Sequence, residues 1–263
     1  MTATSTAPDP FTDRHERVLE GVRFACELLA VMPPHMWLIA DHLGRRFSIP
    51  RLRRAPAAYL DHVDRLVDAP QDVAEHRVLL RLLDPDVTAT MAEISSAEWE
   101  QPIMLGRALY ADHHPDPDRL GAIIARRGRD PGNSRTHAAL ALRWVEELGR
   151  EVAGHVRLRN DLVEGMIDEI ETEPLPPLRS DRFDLFAEQV AMIGYLGGTD
   201  RVDGCWIDHL LAEQEVDGGW GGHHTTMLAL WCVLEGVVAD PQPGGWIPVV
   251  PRDPREHERV RLC

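Results

Sequence analysis

The chain has 263 residues, 44% of them hydrophobic and 27% charged, which suits a soluble globular domain with a sizeable core. Its formal net charge of −15 and sequence pI near 5.3 argue against nucleic acid or an anionic membrane as the partner, since both need a basic face. All 28 basic residues are arginine, which argues against Schiff-base enzymes, pyridoxal phosphate enzymes included, and against a phosphate-binding P-loop, because each needs a lysine.

Residues 1–12 carry neither a basic segment nor an apolar one and read as a disordered leader, not a signal peptide. The main domain is expected over 13–239. Within it, helical periodicity broken by Pro, Gly and Asp clusters predicts helices at 13–31, 35–45, 51–67, 72–82, 88–97, 101–112, 117–127, 135–148, 151–171, 183–197, 204–214 and 222–237. Residues 172–182 form a proline-rich connection, and 240–263 a proline-rich tail expected to pack across the surface. The run from Trp246 to Val250 is β-like, but Pro248 weakens it. No apolar run is long enough to span a membrane. Cys26, Cys205, Cys232 and Cys263 are scattered without a CxxC pair, as in a reduced, cytoplasmic protein.

An internal repeat organises these helices. At a spacing of 87 residues, Asp130, Gly132, His137, Trp144 and Gly149 fall on Asp217, Gly219, His224, Trp231 and Gly236. That spacing is about twice the length of one helix hairpin, and it predicts an all-α domain, an α/α toroid of about six hairpins. The helices at 35–45, 72–82, 101–112, 135–148, 183–197 and 222–237 carry fewer charges and are assigned to the inner ring.

Leu210-Leu211, Gln214 and the run Asp217-Gly218-Gly219-Trp220-Gly221 resemble the Q-x-x-D-G-x-W element of squalene and terpene cyclases, and similar hairpins occur in protein prenyltransferase β subunits. The resemblance implies an α/α toroid with its active site in a funnel lined by inner helices. It also implies that Gln214 and Trp220 tie one hairpin to the next. The acidic D-x-D-D element that protonates substrates in class II terpene cyclases is missing. Asn160, Asp161 and Asp168 only partly match a class I magnesium motif, since Glu164 replaces its hydroxyl residue. Asp203, Cys205 and His224 match the short zinc patterns of prenyltransferases. However, Asp203 and Cys205 begin an outer helix and His224 an inner one, so antiparallel pairing would separate them by roughly 15 Å. Asp203 is instead expected to cap its helix and Cys205 to be a small buried residue.

A different constellation is compatible with the hairpin order. His35, His76, His137 and His224 each stand at or near the start of a predicted inner helix, so all four point to one end of the ring. Asp184 and Glu188 lie one turn apart on a further inner helix, and Glu98 or Glu100 precedes another. Imidazoles with a carboxylate suit one divalent transition metal, for which the four histidines are the candidate ligands. They equally suit acid–base chemistry by His137, His224, Asp184 and Glu188. Trp144 and Trp231 are expected in the core, and His42, His62 and His209 at the surface. The function expected is a small enzyme acting on a largely apolar small molecule by cyclisation, elimination or group transfer. The alternative is a non-catalytic helical-repeat protein that holds a ligand or a protein partner in the same concavity.

Overall fold

The computed structural model describes residues 10–65, 76, 78–95, 100–113, 116–238 and 245–247. Eleven α-helices occur among them: α1 (Pro10–Leu28), α2 (Pro34–Arg46), α3 (Ala55–Arg65), α4 (Met91–Ser95), α5 (Glu100–Leu109), α6 (Pro117–Arg127), α7 (Asn133–Glu147), α8 (His155–Thr172), α9 (Asp181–Tyr195), α10 (Gly204–Ala212) and α11 (His223–Val237). No strand occurs among the described residues, and Trp246 and Ile247 form a bend. Residues 1–9 of the expected leader, residues 72–75 and 77 of the predicted helix 72–82 and most of the tail lie outside them, while residues 10–12 of the expected leader belong to α1. Among the described residues, no helix is long and apolar enough to cross a membrane.

The helix ends follow local chemistry. Asp116, Ser180 and Asp203 each accept a backbone N–H from the first turn of the helix they precede. Pro34 and Pro117 occupy first-turn positions, where a missing N–H costs nothing.

Five helices pack side by side in the order α2, α11, α9, α7, α5, and the others lie against them. Helices α1 and α10 pack on α11, α3 on α2, α4 on α5, α6 on α7, and α8 on both α7 and α9. Burial follows position. In α11 every residue from Thr226 to Glu235 is buried, and in α9 every residue from Phe186 to Tyr195. Each of these helices has neighbours on several sides, so almost no face is free for charge. The outer helix α8 instead buries one stripe, Leu162, Val163, Met166, Ile167 and Ile170, and leaves Arg157, Asp161 and Asp168 in water.

The Gln214–Gly221 turn fastens α1 to the last hairpin. Gln214 Nε2 donates to the carbonyls of Arg17 (3.0 Å) and Gly218 (2.9 Å). Trp220 is fully buried beneath Gly21, and its indole N–H donates to the Leu210 carbonyl at 2.7 Å. Gly218 has φ +96°, and a Cβ there would lie 2.6 Å from the Glu20 carbonyl oxygen, so only glycine fits.

Candidate functional site

Four of the sequence-derived candidates meet at the N-terminal ends of α7, α9 and α11. Helix α9 lies between the other two and serves both. Its Asp184 accepts hydrogen bonds from His224 Nδ1 (2.8 Å) and from Thr225 Oγ1 (2.6 Å) on α11. One turn further along, Glu188 accepts from Thr136 Oγ1 (2.7 Å) on α7 and lies 3.7 Å from His137 Nε2. The turn of helix between Asp184 and Glu188 thus gives one carboxylate to each histidine of the repeat.

The electrostatics separate the imidazoles. Burial acts to lower the His224 pKa, but the Asp184 hydrogen bond, the Asp184 charge and the Glu188 charge outweigh it, and His224 is raised above 6.5. His35, at the start of α2, is lowered by burial and then by the neighbouring His224 charge. Burial acts to raise Asp184, but the hydrogen bonds from His224 and Thr225 and the His224 charge bring it below 3.8. Asp184 engages Nδ1 of His224, whose side chain is 44% exposed, and Nε2 is its other ring nitrogen.

His76 belongs to a different neighbourhood. Its Nδ1 lies 2.9 Å from the Tyr59 hydroxyl, and its ring packs edge-on against His62. Its ring is thus held by side chains of α3. Among the described residues, no group of three or more His, Cys, Asp or Glu side chains is arranged to hold a metal ion. Glu98 and the Glu100 side chain lie outside the described residues. Asp203 caps α10 through the Cys205 N–H at 2.8 Å. Cys205 is exposed, contrary to expectation, because it occupies the solvent side of the first turn of α10.

The opposite end of the inner helices holds a polar cluster that the sequence reading missed. His42 on α2 is wholly buried, stacked on Trp246 with ring centroids 5.0 Å apart and edge-on to Trp231 and Tyr195. Burial, followed by the charges of Arg45, Arg46 and Arg143, holds its pKa well below 6.5. Arg45 donates to the carbonyls of Gly245 (2.8 Å) and Trp246 (2.6 Å), while the Trp246 N–H donates to the Tyr195 hydroxyl (2.9 Å) and the Ile247 N–H to Glu147 (3.0 Å). Tyr195 in turn donates to Glu147. The described part of the tail is therefore inserted between helix ends, not laid across the surface. The signal for His42 was present: its helix was assigned to the inner layer, where a histidine has no solvent face. Trp144 and Trp231 are core residues, 2% and 0% exposed. His209 is half-buried and bonds the Pro176 carbonyl.

No family model, curated protein or solved structure matches the chain.

Proposed function

We propose that the chain is a small α/α-toroid enzyme that moves protons on a small, largely apolar molecule held in a central funnel, in a cyclisation, elimination or group transfer. Asp184 bonded to His224 Nδ1 at 2.8 Å is the observation that carries this reading. An imidazolium oriented by a carboxylate presents an acidic Nε2–H, and His35 beside it is held neutral and able to accept a proton. Neighbouring imidazoles whose pKa values are pushed in opposite directions divide the acid and base roles between them. His137 with Glu188 supplies a second polar contact on the adjacent helix. Ring closure is supported by α1 and α2, the first two helices, both packing on α11.

The test is a thermal-shift screen of a small-molecule panel against the wild type, His224→Gln and His137→Gln, with mass spectrometry for conversion of each stabilising compound. The reading expects stabilisers whose effect is lost in His224→Gln and which the wild type converts with a bell-shaped pH dependence. Stabilisation without conversion would establish a binding protein instead. Stabilisers indifferent to both substitutions would remove the site altogether.

A further inference from the structure

The two histidine-bearing helices of the repeat are held at their starts by different means. Ahead of α11, the Trp220 N–H donates to Thr226 Oγ1 (3.0 Å) and the Gly221 N–H to Glu215 (3.1 Å), so that start is fastened within its own hairpin turn. Ahead of α7, Gly132 has φ +72°, and its N–H donates instead to Glu169 (2.9 Å) on the outer helix α8.

Glu169 takes two further donors. Arg135 of α7 pairs with one carboxylate oxygen, and Gln189 Nε2 of α9 donates to the other at 2.7 Å. Arg135 reaches Glu169 by lying across Gly165 of α8, to whose carbonyl it donates at 2.7 Å. A Cβ on Gly165 would fall 2.7 Å from the Arg135 guanidinium carbon, so the arginine that crosses it accounts for a glycine inside this helix. The Arg135 and Glu169 side chains are both largely buried, and salt screens such a pair less than one in open solvent. Each clamped residue adjoins a residue of the candidate site. Arg135 precedes Thr136 and His137, and Gln189 follows Glu188. Successive residues of a helix point about 100° apart. Arg135 and Gln189 therefore turn to Glu169, while Thr136 and Glu188 meet each other, hydroxyl to carboxylate, at 2.7 Å. A helix moves as a unit, so fixing Arg135 relative to Gln189 fixes Thr136 and His137 relative to Glu188.

We infer that Glu169 is a positioning residue for the His137–Glu188 half of the site. It sets the register of α7 against α9 from the outer layer, acting through Gly132, Arg135 and Gln189. Its bearing on catalysis rests on the function proposed above, whereas the register it sets does not.

NMR of the histidine ring resonances in the full chain tests the assignment, with amide hydrogen exchange beside it, in the wild type, Glu169→Gln and Gln189→Met. Glu169→Gln keeps the shape of the side chain and removes the charge that three donors share. The His137 resonances are expected to shift and broaden, and exchange over residues 133–137 to quicken by about tenfold or more, the loss of charge-assisted hydrogen bonds. His224, fastened by its own turn and by Asp184, is the internal control, and its resonances are expected to stay in place. Gln189→Met breaks only the link to α9 and keeps the Arg135–Glu169 pair, so it decides the matter if Glu169→Gln does not fold; the His137 shift should persist in it. His137 resonances that stay put in the folded variants, or His224 resonances that move as far as those of His137, overturn the assignment. No substrate enters the measurement, so its failure leaves the ligand screen above standing, and failure of that screen leaves the register standing.

Discussion

Replacing Asp184 by Asn keeps the shape of the side chain and removes its charge. A hydrogen bond to a charged group is worth about 1.5–3 kcal/mol when buried, and an exposed ion pair about 0.2–1 kcal/mol. The His224 and Asp184 side chains are 44% and 36% exposed, so solvent screens the pair and about 1 kcal/mol is a reasonable magnitude. With the Asp184 charge removed, the His224 pKa should fall in the variant. Titration of the imidazole resonances by NMR measures this directly. Stability provides a second readout with a definite pH window. Folding raises His224 above 6.5, so its contribution is complete below 6.5 and is lost as pH rises through the folded value. Folding lowers Asp184 below 3.8, so its contribution is complete above 3.8 and is lost as pH falls through the folded value. Both partners contribute between 3.8 and 6.5, and the substitution should cost most stability there. A His224 titration that does not move, together with a stability cost that is flat across pH, would refute the pairing.

His224→Gln should raise the His35 pKa, because the neighbouring charge that helps lower it is gone; the same NMR titration reads it. Gly218→Ala should cost roughly 3 kcal/mol, from a positive φ and an overlap with rigid Glu20 backbone, measured by urea unfolding. Trp246→Ala should cost about 3 kcal/mol and expose His42 to solvent, visible as loss of near-ultraviolet circular dichroism; a loss below about 1 kcal/mol would mean that the tail segment does not hold the helix ends.

Much of this architecture was legible in the sequence. Helix boundaries could be placed within a few residues, because prolines and aspartates mark starts such as Asp116-Pro117 and Ser180-Asp181. Of the six helices assigned to an inner ring for their sparse charge, the five at α2, α5, α7, α9 and α11 pack in one row, and the sixth, 72–82, is only partly described. Their shared polarity then placed His137, His224, Asp184 and Glu188 at one end. What escaped depends on pairing between distant segments. His76 was assigned by its spacing from His35, but its partners Tyr59 and His62 are set by how its segment docks on α3. The proline-rich tail carries no periodicity, so nothing local announced that Trp246 would stack on His42.

Trp246, with α11, also constrains the order in which the molecule can be built. Helices α1 and α2 find their partners on α11, and Arg45 finds its acceptors at Gly245 and Trp246, some 200 residues downstream. A ribosome delivers those partners only after all the helices between them. During synthesis the faces of α1 and α2 that meet α11 must wait, while the other helices, α3 on α2 among them, pack on sequence neighbours. The intervening helices can therefore gain structure as they emerge, whereas the seam joining α1 and α2 to α11 closes only after those helices have been made. Chaperone dependence and truncation sensitivity should concentrate at that seam.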